Sequence, residues 1–312
     1  MKIVFFGSGA IGGFYGAMLA QNQAANVWFV GRGAQLTAMR EKGLRVETRF
    51  GDFTLEKPQV TDNTDEIGLA DLVIVSVKQY QTAEILDNLK PLVAENTTLM
   101  TFQNGVDGHE ILAERFGSKK TIAGVPIISS NLIEPGYIRH VASGNIAVGE
   151  LDGTMTERIQ KIAEVFGKAG IEAQAVPNVH EILWYKLLWN VGFTALICLT
   201  GCDSQEILAV PESRDLVRQA IAEGIAVGEA QGYKFAPNHL ETLVESTAEQ
   251  PAIRTSMLFD REAGRPLEYD AITGAVVKRG KDFGIATPVN DFLYGALKVV
   301  DALNRKAASA GQ

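Results

Sequence analysis

The chain opens with an apolar run, Lys2-Ile3-Val4-Phe5-Phe6, passes through a glycine-rich turn, Gly7-Ser8-Gly9-Ala10-Ile11-Gly12, and enters an Ala-rich segment from Phe14 to Leu19. A short apolar run bounded by glycine reads as a buried strand, and the Ala-rich segment as a helix. Asn26 to Val30 predicts a second strand, and Gly43 to Val60 alternates as short edge strands. Leu72 to Val77 and Thr98 to Phe102 lack a polar face, as central parallel strands do. Thr121 to Ile128 predicts a further strand, and Tyr137 to Val141 with Asn145 to Val148 predict a hairpin turning at Ser143-Gly144. Thr156 to Ala169 is helical in period, and Ile171 to Val176 is a last strand before Pro177.

From Val179 the strand pattern stops. Helical periodicity runs through His180 to Leu199, Arg214 to Gln231, Pro237 to Glu245, Tyr269 to Asp282 and Val289 to Asn304, and Lys306 to Gln312 reads as a frayed tail. The expected fold is α/β, with a Rossmann domain over residues 1–177 and an all-helical domain over 178–312.

The turn has G-x-G-x-x-G spacing between a strand and a helix, the context in which that spacing binds a dinucleotide. Gly7 serves the tight turn, Gly9 lets backbone N–H groups approach a pyrophosphate, and Gly12 lets helix and strand pack closely. Ser8, Ala10 and Ile11 complete the candidate phosphate loop. After the second strand comes Gly31-Arg32, where NAD sites usually carry an acidic residue. A guanidinium there suits a 2′-phosphate and points to NADPH, although a solvated surface arginine would look the same. Ligands of parallel sheets gather at strand C-termini, which makes Lys78 and Asn104 candidates, Asn104 doubling as an ordinary Asn-Gly turn residue.

Composition narrows the class. The chain has 312 residues, 46% hydrophobic and 21% charged, as a two-domain soluble enzyme would. The formal charge of −8 argues against nucleic acid or an anionic membrane as the main partner. Met1 leads straight into a strand and no apolar run is expected to reach the length of a membrane span, so the expected compartment is cytoplasmic. Cys198 and Cys202 have no His or Cys near them and read as buried reduced thiols, with no metal.

In the helical half, Lys186 and Asn190 are four residues apart on one helix face, beside Leu183, Trp184, Leu187, Leu188 and Trp189. An ammonium on such a helix needs a partner or a task, unless it snorkels to water.

Taken together in order, these motifs resemble the ketopantoate reductase family, the NADPH-dependent 2-dehydropantoate 2-reductases. The likeness runs through Gly7-x-Gly9-x-x-Gly12, Arg32, Val77-Lys78, Gln103-Asn104-Gly105, Lys186-Leu187-x-x-Asn190, Arg254-Thr255-Ser256-Met257, Glu268-x-Asp270-x-Ile272-x-Gly274 and Gly284-Ile285-Ala286-Thr287-Pro288. The resemblance implies a helical domain of the 6-phosphogluconate dehydrogenase C-terminal type, a small 2-oxo acid substrate, and reduction of 2-dehydropantoate to (R)-pantoate in pantothenate and coenzyme A synthesis. It implies that Lys186 is the catalytic acid, that Glu268 organises the lysine and substrate, and that Lys78, Asn104, Asn190 and Ser256 bind. Glu268 also reads as a helix N-terminal carboxylate before Tyr269. Thr194 and Ser204 stand where the family usually places substrate-binding Asn, so the grip on substrate is expected to differ. A homodimer paired through the helical domain is a further implication, although an apolar helix serves a core equally well. The alternatives are a reductase of another branched 2-oxo acid, and a sensor that binds NADPH without turnover.

Overall fold

Residues 1–310 are described by a computed structural model, in which strands and helices alternate through the first half of the chain. The elements there are β1 (Lys2–Phe6), α1 (Ala10–Gln21), β2 (Asn26–Val30), α2 (Gly33–Lys42), β3 (Leu44–Glu47), β4 (Phe53–Leu55), β5 (Gln59–Thr61), β6 (Leu72–Val75), α3 (Thr82–Leu89), β7 (Thr98–Thr101), α4 (Gly108–Phe116), β8 (Thr121–Glu134), β9 (Tyr137–Glu150), α5 (Glu157–Lys168) and β10 (Ala173–Ala175). Helices follow: α6 (Val179–Thr200), α7 (Ser204–Ala209), α8 (Pro211–Ala230), α9 (His239–Ala248), α10 (Ser256–Glu262), α11 (Thr273–Phe283) and α12 (Pro288–Ala310). Two compact units result. The sheet unit holds Met1–Gln103 and Gly108–Ile182, and the helical unit holds Asn104–Asp107 and the chain from Leu183 onward.

The sheet unit is one ten-stranded sheet in the order β4-β3-β9-β8-β7-β6-β1-β2-β5, with β10 paired to β9. β1 lies between β2 and β6, parallel to both, with Phe6 in register with Val30 and Val75. Alternation along β1 sorts its side chains to two cores. Ile3 and Phe5 pack with Phe14 and Tyr15 of α1 and Phe166 of α5, whereas Val4 and Phe6 pack with Leu89 of α3 and Leu112 of α4. Both faces are covered, which is why the strand carries no polar stripe.

The expected hairpin around Ser143-Gly144 is different in the structure. β8 and β9 form one long antiparallel pair that turns at Pro135-Gly136, and Ser143 and Gly144, both at positive φ, are a bulge inside β9. The positive-φ pair that suggested a turn absorbs an extra residue instead. His140, beside the bulge, is buried, with Nδ1 3.0 Å from the Thr48 hydroxyl and Nε2 3.0 Å from the Ser143 carbonyl.

In the helical unit, glycines let α8 approach α6: Gly224 and Gly228 face Leu188 and Trp184, and Gly192 faces Ile221 and Val217. α6 corrects one sequence expectation, since its 22 residues are long and apolar enough to cross a membrane. Within the protein, however, 67% of its most apolar window is buried, so it serves as a core helix. α7 and α10 escaped the periodicity because they are short, although Asp203 and Glu206 form a capping box that starts α7. α12 is helical through Ala310, where a frayed tail was expected from Lys306; Gly311 and Gln312 lie outside the described residues. Cys198 is buried and Cys202 half-buried beyond the end of α6, both as free thiols.

Candidate active site

The glycine-rich turn joins β1 to α1, and its glycines sit under distinct constraints. Gly7 has φ +114°, and a Cβ there would lie 2.7 Å from the Val77 nitrogen. At Gly12 a Cβ would lie 2.2 Å from both the Gly7 carbonyl and the Ser76 hydroxyl, so only glycine lets α1 pack this close. Gly9 differs from both: a Cβ there would meet nothing within 4 Å. Gly9 is also the N-cap of α1, which has no side-chain cap and no acidic residue in its first turn. The first N–H groups of α1 therefore retain their capacity for an anion, and the space beside them is open.

The flanks of the turn are held rigidly. Ser76 donates from its hydroxyl to the Gly7 carbonyl at 2.7 Å, and Gln35 donates to the Ser8 carbonyl at 2.8 Å. The Ser8 side chain is buried, its hydroxyl where a Cβ on Gly31 would be, so Ser8 can serve a ligand only through its backbone. Ala10 and Ile11, half-buried, form the first turn of α1. Arg32 is exposed at the N-cap of α2, just after β2, and its side chain makes no hydrogen bond or ion pair among the described residues. Lys78 is half-buried and starts the short 3-10 turn after β6.

A second cluster belongs to the helical unit. Lys186 on α6 is half-buried among fully buried Trp184, Leu187 and Leu188. Burial pushes its ammonium down to about 8, against the opposing pull of the Glu268 carboxylate. Glu268 is itself buried, in the loop before α11, and accepts from Asn104 Nδ2 at 3.5 Å. Its loop is tied on both sides, by Leu267 N donating to Asp301 at 2.8 Å and by the Tyr294 hydroxyl donating to Asp270 at 2.6 Å. α11 begins at Thr273, so Glu268 is not in its first turn and the helix-dipole reading of this carboxylate fails.

Asn190 is half-buried one turn along α6 from Lys186, and the buried Thr194 hydroxyl donates to its amide oxygen at 3.3 Å. Thr194 therefore acts on Asn190 and leaves the amide N–H₂ as the group that can donate outward. Ser256 is exposed in the first turn of α10. Ser204 departs from expectation: it is fully buried, and its hydroxyl accepts from Ile253 N at 2.9 Å. A hydroxyl without exposed surface ties two backbone segments together and does not touch substrate. Two residues that the sequence did not single out, Asp107 and Arg279, pair at 2.6 Å in the same unit. No local pattern links them.

A doubly wound sheet with a glycine-rich phosphate turn, joined to a helical unit holding a desolvated lysine, is the build of a dinucleotide-dependent oxidoreductase. Residues 3–153 match the family model for ketopantoate reductase PanE/ApbA, and residues 178–301 match the model of its C-terminal domain. A 2-dehydropantoate 2-reductase of Mesorhizobium japonicum is 32% identical, over 96% of this chain and 97% of its own. Among solved structures, 2-dehydropantoate 2-reductase from Geobacter metallireducens superposes with a TM-score of 0.91 at 36% identity, covering 96% of this chain and 99% of that one. A ternary structure of D-mandelate dehydrogenase with NADH and anilino(oxo)acetate shares the fold, with a TM-score of 0.90 at 22% identity, over 97% of this chain and 99% of that one. The chain belongs to the ketopantoate reductase family.

Proposed function

We propose that the protein reduces 2-dehydropantoate to (R)-pantoate with NADPH, a step toward pantothenate and coenzyme A. The observation that carries this reading is the desolvated Lys186 with Glu268 as its counter-charge, since binding a dinucleotide alone needs neither. The sheet unit suits the cofactor: open space at Gly9, uncapped N–H groups at the start of α1, and an exposed Arg32 free for a 2′-phosphate. The chemistry such a cofactor supplies is hydride transfer to the substrate's keto carbon.

Hydride arrival makes the keto oxygen an alkoxide, which needs a stabilising charge and a proton. Lys186 provides both, its ammonium first countering the negative oxygen and then donating a proton to it. Because burial has lowered its pKa toward neutrality, the proton leaves more readily than from a solvated lysine. Glu268 limits that lowering and keeps the ammonium charged at pH 7. Asn190 donates from its amide to the substrate, and Ser256, Lys78 and Asn104 are assigned to the same substrate and cofactor contacts. A second reading, reduction of another branched 2-oxo acid, is favoured by Thr194, which restricts Asn190 where a second amide is usual in the family.

The test is dinucleotide oxidation over a panel of 2-oxo acids, with NADPH and NADH compared. The highest kcat/KM is expected for 2-dehydropantoate with NADPH. A higher value for a different 2-oxo acid selects the second reading, and dinucleotide binding without any turnover leaves only a sensor.

A further inference from the structure

We infer that Asp107 and Arg279 are positioning residues: their ion pair seats the Asn104–Asp107 segment so that the Asn104 amide meets Glu268. The inference rests on reading Lys186 and Glu268 as the proton-handling pair.

The segment is short, and three of its residues meet receivers within α11 or the loop that leads to it. Asn104 donates to Glu268 at 3.5 Å. Gly105, at φ +87°, lies so close that a Cβ would be 2.3 Å from the Ala271 carbonyl oxygen. Asp107 pairs with Arg279 at 2.6 Å, with only 22% and 13% of the two side chains exposed. These contacts are unequal. A hydrogen bond at 3.5 Å is at the outer limit for an amide donor and cannot hold a loop by itself. A short charge-assisted pair with little solvent can, and breaking one side leaves the other charge desolvated. The amide therefore sits at Glu268 because Asp107, three residues on, is anchored.

Glu268 stands in one part of the sequence and Asn104 in another, so their meeting is not set by local chain geometry. Arg279 is on α11, nearly two turns beyond its first residue, Thr273, while Glu268 and Ala271 lie just upstream. One stretch thus presents carboxylate, carbonyl and guanidinium in a row, and the segment is matched to all three. Displacing the amide would change how the carboxylate's charge is shared between Asn104 and Lys186.

A double-mutant cycle on the full-length protein tests this, using Asp107→Asn, Asn104→Ala and the pair, with kcat and KM measured for the best 2-oxo acid. Asp107→Asn is expected to lower kcat about tenfold or more, with a change in dinucleotide KM no larger than that of Asn104→Ala, since Asn104 is also assigned to the cofactor. In the Asn104→Ala background it should cost nothing further, because the group it positions is gone. Arg279→Lys, which keeps the charge, should retain most of kcat. Multiplicative losses in the cycle, or a lowered Tm with unchanged kcat, overturn the inference. Absence of turnover by the wild type with every 2-oxo acid counts against the parent reading alone. The side-chain amide resonance of Asn104, assigned by its loss in Asn104→Ala, then decides: it should move in Asp107→Asn, and an unmoved resonance overturns the clamp.

Discussion

Asn104 and Glu268 are 164 positions apart in the chain, and the amide of the first donates to the carboxylate of the second at 3.5 Å. The contact gives a buried carboxylate a neutral donor, which satisfies part of its charge while leaving the rest to act on Lys186. The behaviour of the site is expected to follow from that balance.

Lys186→Met should lower kcat about 10²-fold or more with dinucleotide affinity nearly unchanged, because the cofactor is assigned to the sheet unit. Steady-state kinetics with a separate dinucleotide titration checks this. Near-normal kcat would make the lysine a snorkelling surface residue.

The pH dependence of the wild type has a definite sign. Lys186 must carry its proton to act as an acid, so kcat should fall as pH rises through about 8. Stability moves the other way. Between about 8 and 10.5 the unfolded chain binds a proton that the folded chain does not, so unfolding becomes harder as pH rises through that window. Below it, the folded chain bears the cost of a desolvated ammonium, and Lys186→Met exchanges that cost for a Glu268 carboxylate buried without its counter-charge. The Tm of the wild type should therefore rise between about pH 8 and pH 10, and that rise should be missing from Lys186→Met, which thermal melts across the range check.

Gly9→Ala and Gly12→Ala should separate binding from folding. A Cβ at Gly12 collides with the Gly7 carbonyl and Ser76 hydroxyl at 2.2 Å, and overpacking of this kind costs about 1–3 kcal/mol. A Cβ at Gly9 meets no protein atom within 4 Å, so Tm should hold while dinucleotide affinity drops. Thermal melts with and without dinucleotide distinguish the two.

Arg32→Ala should weaken NADPH by about 1.5–3 kcal/mol, as expected for a lost hydrogen bond to a charged group, with a much smaller effect on NADH. Its exposure means that the fold should not suffer. Equal losses for both cofactors, by fluorescence titration, would remove the 2′-phosphate assignment.

Thr194→Val keeps the shape of the buried side chain and deletes its bond to Asn190. KM for the 2-oxo acid should rise about fivefold, in line with about 1 kcal/mol, while dinucleotide KM stays constant. Thr194→Asn should change the ranking within the substrate panel, which a comparison of kcat/KM values reads directly.

Much of the fold was legible because its signals are local. The strand, turn and helix at the N-terminus lie within about one helical element of each other, and glycine spacing, apolar runs and the change of period after Pro177 are visible in a short window. The same locality misled at Ser143-Gly144, where positive φ marks a bulge as well as a turn. It misled again at α6, whose composition suits either a membrane or a protein core, and only the packing of α8 against it tells which.

Sequence alone determined the doubly wound sheet, the glycine-rich turn, the helical second half, and the pairing of Lys186 with Asn190 on one helix face. Each depends on residues a few positions apart, where steric and periodic rules act directly. Tertiary structure decided what no window contains: that Asn104 to Asp107 joins the helical unit, that Glu268 lies outside the first turn of α11, that Thr194 serves Asn190, and that Ser204 is buried against Ile253. Such partners are chosen by how distant segments pack. The free energy of a buried charge or hydroxyl depends on the atoms brought to it from elsewhere in the chain.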